Sequence, residues 1–275
     1  MYRIIACDLD ETLLDDEGNV PTHVRDAVAA ARERGTRFVL ATGRPFVSAH
    51  RTLEQLDLLG RPGEYVISFN GGVITENSDE RPLTTCSLDP ATAETLYERG
   101  VEWGLCMHVY TLDEVHVYNY LPEERAYIEG RMSIYETFET TLDFLREKGE
   151  RVVKLLYMSL DAERLRAAER ELAAEGVTEG LDVCYSSNRY LEFNAPGVNK
   201  GVGLLELARR LGVPREQTMA IGDNSNDMAM ISAAGLGVAV ANATSETKAV
   251  ADYICRRTNN EGAVAEAIER FVLGA

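Results

Sequence analysis

The run "IIACDLDETLL", residues 4 to 14, leads four apolar or small residues straight into Asp8 and Asp10. Ionised carboxylates this close repel one another and resist desolvation. Either the pair is an acidic turn closing a strand, or a cation sits there and the acids do chemistry with it. Three further segments carry groups of the same kind. "ATGR" (41–44) offers the Thr42 hydroxyl and the Gly43 amide ahead of a helix opened by Pro45, where a helix dipole favours an anion. "NKG" (199–201) offers the fixed positive charge of Lys200, and "GDNSND" (222–227) offers Asp223 and Asp227. Four residues apart, those two acids can share one face of a nascent helix, although N-capping explains an acid there equally well.

The chemistry open to this set follows from its donors. A carboxylate can be a covalent nucleophile toward phosphorus. Several acids would repel a dianionic phosphate unless a divalent ion intervened, and hard carboxylate and carbonyl oxygens suit Mg²⁺. Asp8, Asp223 and Asp227 supply the negative oxygens in this reading, with Lys200, Thr42 and Gly43 as phosphate donors.

The elements that must position these residues alternate strand and helix. "RIIACD", "RFVLA" and "EYVISFN" read as buried strands separated by the helical segments "THVRDAVAAARERG" and "FVSAHRTLEQLDLLG". From about residue 84 the pattern changes. "LCMHVYTLDEVHVYNY" reads as an antiparallel hairpin, "RVVKLLYMSL" as a strand, "DAERLRAAERELAAEG" as a helix and "LDVCYSSNRYLEFN" as two strands. Alternation returns with "NKGVGLLELARR", "TMAIGD", "NDMAMISAAG" and "GVAVA". The expected fold is α/β, a parallel doubly wound (Rossmann-like) core of residues 1–83 and 190–275, interrupted by an α+β module over 84–189. In such sheets ligands bind at the carboxyl ends of strands, where all four segments fall.

Composition narrows the partners. A formal net charge of -17 argues against nucleic acid and anionic membranes, so an anionic ligand must be held by a local site. Five scattered cysteines without a C-x-x-C suggest a reducing compartment and no zinc cluster, and Cys7 reads as a small core residue. The first residues lack the basic, apolar, small-residue pattern of a leader, and Gly235, Gly237 and Asn242 break the uncharged run 228–245, so a cytoplasmic protein is expected. His108 and His116 flank the hairpin turn, but two histidines without an acidic pattern are not read as a metal site. "GVNKGVG" does not match the dinucleotide glycine pattern.

The ordered set "DLDET" (8–12), "ATGR", "NKG" and "GDNSNDMAM" resembles the four motifs of the haloacid dehalogenase superfamily of phosphotransferases. "FNGG" (69–72), "LEFNAPGVNKG" and "AGLGVAVANA" resemble its Cof-type branch, sugar-phosphate-type hydrolases with a large α/β cap between the second and third motifs. The resemblance implies Asp8 as nucleophile and Mg²⁺ ligand, and Asp10 as general acid/base that gives its backbone carbonyl to the metal. It implies Thr42, Gly43 and Lys200 on the phosphoryl group, Asp223 as metal ligand with Asp227 supporting it, and Asn226 near the phosphate. Asn70 and Gly71 would form a substrate-side loop. One departure is Glu11, where the branch usually has glycine; it is expected to point away. Asp10 would be kept protonated by its anionic neighbours.

The function expected is Mg²⁺-dependent hydrolysis of small phosphate monoesters, sugar phosphates first, through an aspartyl-phosphate. A phosphomutase on the same scaffold and a non-enzymatic phospho-receiver domain are the alternatives. Receiver domains lack the second acid two residues on and carry no large insert. No motif identifies the ester or the oligomeric state.

Overall fold

Among the described residues fourteen strands follow in chain order: β1 (Ile4–Cys7), β2 (Arg37–Ala41), β3 (Tyr65–Ser68), β4 (Val73–Glu76), β5 (Pro82–Thr85), β6 (Cys106–Tyr110), β7 (Val115–Tyr118), β8 (Tyr135–Thr137), β9 (Lys154–Met158), β10 (Asp182–Ser186), β11 (Tyr190–Asn194), β12 (Thr218–Gly222), β13 (Leu236–Ala239) and β14 (Tyr253–Ile254). They are seen in a computed structural model, which describes residues 2–130 and 132–274. The chain divides into two compact units, one running to Thr84 and resuming at Asn199, the other spanning Thr85–Val198.

The first unit carries an eight-stranded sheet in the order β14-β13-β12-β1-β2-β3-β4-β5. From β14 to β3 all neighbours are parallel, and β4 runs antiparallel to β3. Alternate side chains of one strand feed two different helix layers, as the two-residue period of a strand requires. Ile5 and Cys7 join Phe38, Leu40, Met219 and Ile221 against the helices of Thr22–Glu33 and Ala263–Ile268. Ile4 and Ala6 join Val39, Ala41 and Ala220 against Leu204 and Leu207 of the helix Lys200–Arg210. The helix Thr22–Glu33 buries Val24, Ala27, Val28 and Ala31, the spacing of a single helical face, each buried Val contributing about 1.5–3 kcal/mol.

To the expected parallel core the structure adds an antiparallel strand. "EYVISFN" is followed by a second strand that turns back on it, pairing Ser68 with Val73 and Tyr65 with Glu76. The β-branched run after Gly71 and Gly72 was a hairpin signal in the sequence. The helix expected after Pro45 is also shorter, a 3₁₀ turn Phe46–Ala49 leading into a helix His50–Gln55.

The second unit has its own six-stranded sheet, β10-β11-β9-β6-β7-β8, antiparallel except for β7 beside β8. Helices Pro90–Glu102 and Ala162–Ala174 are capped by Asp89 and Asp161, whose carboxylates accept N–H groups of their first turns. Leu96, Leu165 and Leu172 from these helices meet Met107, Leu155, Tyr157 and Leu191 of the sheet. The return to the first unit lies at Asn199, not at residue 190. β11 is a ladder partner of both β10 and β9, joined to β10 by a three-residue turn with Ser187 and Asn188 at positive φ. Among the described residues no helix is long and apolar enough to cross a membrane.

Candidate active site

β1 lies between β12 and β2, so the connections diverge from it in opposite directions and its carboxyl end faces a topological switch point. Asp8 follows β1 and Asp223 follows β12, with Cys7 paired to Ile221 in register. The Asp8 amide donates to Ile221 at 3.0 Å, which pins the two strand ends together. Both acids are buried.

Asp227 is fully buried behind them and uses both oxygens. Its Oδ2 accepts the amides of Asp223 and Asn224 at 3.0 and 3.1 Å. Its Oδ1 accepts from Lys200 Nζ at 2.6 Å, and the same ammonium donates to Asp8 Oδ1 at 2.5 Å. Lys200 opens its helix behind Asn199, whose side chain caps the Val202 amide at 3.0 Å. Gly222 is required by this packing, because a Cβ there would sit 2.5 Å from the Cβ of Asp227. Gly71, at φ +97°, likewise leaves room for the Asn199 carbonyl, which a Cβ would approach to 2.3 Å. Thr12 adds a hydrogen bond from Oγ1 to Asp223 Oδ1 at 2.7 Å.

Carboxylate oxygens of Asp8, Asp223 and Asp227 come within 4.8 Å of one another. Burial first, then the Asp227 charge, pushes Asp8 up to about 8, although Lys200 pulls the other way. Burial, Asp227 and Asp8 push Asp223 up to about 9. Burial works to lower Lys200, but Asp227 and Asp8 overcome it and hold the ammonium charged. Three acids against one ammonium leave an excess of two negative charges when ionised, which one divalent cation would balance. The donors facing it are all oxygens, so the residues fit a hard ion.

The other predicted residues arrange themselves around the same strand ends. Thr42 is buried after β2; its amide donates to Ile67 at 2.8 Å, its hydroxyl accepts the Arg44 amide at 3.1 Å, and its carbonyl accepts the Asn70 amide at 3.0 Å. Gly43 beside it is partly exposed. Asn70 is buried at φ +54°, in a 3₁₀ turn Phe69–Gly71. Asn226, partly exposed, sits in the 3₁₀ turn Ser225–Asp227. Cys7 is fully buried, and burial holds its thiol well above the ordinary range, as suits a core residue.

A family model of the haloacid dehalogenase-like hydrolases matches residues 5–268. The chain belongs to the haloacid dehalogenase-like hydrolases. It is an enzyme of the phosphatase kind. Its sequence is 32% identical over 277 residues to YxeH of Bacillus subtilis (strain 168), covering 99% of each chain. The 5-amino-6-(5-phospho-D-ribitylamino)uracil phosphatase YcsE of the same organism is 30% identical, over 98% of this chain and 96% of its own length. The crystal structure of a haloacid dehalogenase-like hydrolase from Bacteroides thetaiotaomicron superposes with a TM-score of 0.83 at 33% identity, over 98% and 99% of the two chains.

Two features of this haloacid dehalogenase-like site depart from the sequence reading. Asp10 is not set among anions alone. The Arg44 guanidinium bonds its Oδ1 directly, so the carboxylate's partner is a cation. Arg44 was inside the quoted "ATGR" segment, yet nothing in its spacing pointed to Asp10, because the contact joins two separate loops. Glu11 is exposed, and its backbone is at φ +58°, in the left-handed region that glycine occupies without strain. The Asn242 side chain holds that conformation by donating to the Glu11 carbonyl at 2.7 Å.

Proposed function

We propose that this hydrolase cleaves small phosphate monoesters, sugar or polyol phosphates, with Mg²⁺ and through a phosphoryl group carried on Asp8. The observation that carries the reading is Lys200, a buried ammonium bonded to both Asp8 and Asp227. A lysine held there presents fixed positive charge beside a nucleophile-competent carboxylate. Asp8 and Asp223 would hold the ion with the Asp10 carbonyl, and Asp227 would position Lys200 and the loop. Bound Mg²⁺ supplies charge neutralisation for the phosphoryl oxygens.

Asp8 attacks phosphorus in line. A new P–O bond forms to its carboxylate while the ester P–O bond breaks, and the departing alkoxide takes a proton from the Asp10 carboxyl group. Water then loses a proton to Asp10 and bonds to phosphorus, the bond to Asp8 breaks, and phosphate leaves. Asp10 serves in both steps only when Arg44 is drawn off it, and the substrate's anionic oxygens give that guanidinium a competing partner. Thr42, the Gly43 amide and Asn226 would bind the remaining phosphoryl oxygens, with Asn70 and Gly71 on the substrate side.

Two observations favour a polyol or sugar over a flat leaving group. The Tyr185 and Tyr190 hydroxyls donate to Glu169 and Glu124 at 2.5 Å, and Trp103 lies edge-on to Tyr157, so these rings serve the second unit's own packing. YcsE is named for a phosphorylated ribityl compound. That name also contains a uracil, which makes a base-bearing polyol phosphate the second reading.

The test is phosphate release over sugar phosphates, ribityl and other polyol phosphates, nucleotides, flavin mononucleotide and pyridoxal phosphate, with Mg²⁺ and with EDTA. Sugar or polyol esters should lead in kcat/KM, and EDTA should abolish turnover. A preference of more than about tenfold for nucleotides or flavin mononucleotide over every sugar and polyol phosphate, about 1.4 kcal/mol in the transition state, would overturn the substrate class. Full turnover in metal-stripped protein would overturn the metal.

A further inference from the structure

The second unit holds another set of groups that the phosphatase chemistry does not use. Glu114 lies in the turn between β6 and β7, His116 lies on β7, and Glu150 lies in the loop before β9. One potential ligand atom from each comes within 4.8 Å of the other two. His116 Nε2 stands 3.0 Å from Glu114 Oε2 yet makes no hydrogen bond, although the side chain is only 7% exposed. Glu150 Oε2 is also buried without a hydrogen-bond partner. Two orphaned polar atoms in one cluster are uncommon, because each forfeits a hydrogen bond it would have in water.

We propose that Glu114, His116 and Glu150 form a binding site for a divalent transition-metal ion, Zn²⁺ foremost. Imidazole with two carboxylates is a borderline nitrogen and oxygen donor set, suited to Zn²⁺, Co²⁺ or Ni²⁺ and a poor match for Mg²⁺. Three protein ligands leave a fourth position for water, and the partly exposed Glu114 and Glu150 leave that side open. Metal bonds of about 2.1 Å put neighbouring donors roughly 3–3.5 Å apart, so separations of up to 4.8 Å must close by as much as ~1.5 Å, which the glutamate side chains allow. Phe144, edge-on at 5.0 Å, and Tyr135, tilted at 5.6 Å, fix the imidazole plane. Lys148, whose ammonium donates to Glu114 Oε2 at 3.4 Å, offsets only one of the two acids and is exposed enough to swing away.

Zn²⁺ titration calorimetry tests this on the full chain, stripped with EDTA and then held in excess Mg²⁺. Wild type should bind one Zn²⁺ equivalent that both His116→Gln and Glu150→Gln weaken by about tenfold or more. Zn²⁺ should also raise the Tm of wild type and leave that of the variants unmoved, while Mg²⁺-dependent phosphate release is the same in all three. If His116→Gln does not fold, Glu150→Gln in its partly exposed loop decides alone. Identical Zn²⁺ titrations for wild type and Glu150→Gln, whether both bind or neither does, overturn the site. The titration reads binding directly, so an error in the phosphatase reading would leave its outcome unchanged.

Discussion

Asp227 Oδ1 lies 2.6 Å from Lys200 Nζ, and both side chains are fully buried. An ion pair this deep is costly to break from one side, because the remaining charge has no solvent to turn to. Asp227→Ala should therefore destabilise the first unit by about 3–5 kcal/mol, read from denaturant unfolding. Asp227→Asn should keep more stability but let Lys200 wander, lowering kcat by roughly 100-fold with a smaller effect on Mg²⁺ affinity. Asp223→Asn should do the reverse, raising the Mg²⁺ concentration needed by about tenfold or more. Equal Mg²⁺ dependence in the two variants would remove the proposed division of labour.

Asp8→Asn should lower phosphate release by about 1,000-fold or more, since the amide cannot carry the phosphoryl group. The variant should fold, because Asn keeps the shape while relieving repulsion from Asp227 and Asp10. Substantial turnover in a folded Asp8→Asn protein would show that the reaction does not pass through this carboxylate.

Glu11 occupies a left-handed backbone position next to the acidic cluster. Glu11→Gly should raise stability by about 0.5–1 kcal/mol, since glycine takes this conformation without a side-chain penalty. It also removes a negative charge that helps to raise Asp223. A lower Tm for Glu11→Gly would mean that the Asn242 contact depends on a side chain at residue 11.

His108 is buried on β6, with Nε2 3.2 Å from Glu124 Oε1 and Nδ1 3.4 Å from the Tyr110 hydroxyl. Arg189 and Tyr190 also bind Glu124, and Lys154 and Glu192 lie within electrostatic reach. Burial outweighs Glu124 and pushes His108 below its ordinary value of 6.5. The unfolded chain thus takes up a proton before the folded one does, and stability falls as pH drops below 6.5. His108→Gln should flatten the Tm profile below pH 6.5. An unchanged slope would show that another group sets the acid sensitivity.

Three of the four loops of the candidate site were readable in sequence for one physical reason. Buried parallel strands are near-continuous apolar runs, so a polar or acidic residue directly after one marks a carboxyl end, as at Asp8, Thr42 and Asp223. What could not be read depends on contacts between distant segments. Arg44 reaches Asp10 from another loop, β11 takes its unit from pairing with β9, and Glu150 meets His116 from 34 residues away. Single-strand periodicity carries none of that. The antiparallel turn into β4 was different, since its β-branched residues were there to be read.

β1 pairs with β12 across more than two hundred residues, Ile4 against Thr218. On the ribosome, β1 therefore emerges with β2 as its only available parallel neighbour and must wait for its other edge to be covered. The intervening unit is one unbroken stretch of chain and can complete its own core during that wait. Lys200, Asp223 and Asp227 are all made after it. A chain stalled anywhere before residue 218 holds Asp8 and Asp10 at an open sheet edge with no acid from β12 beside them. Assembly of the candidate site is thus among the last events of synthesis, and long-range closure of this kind is slow.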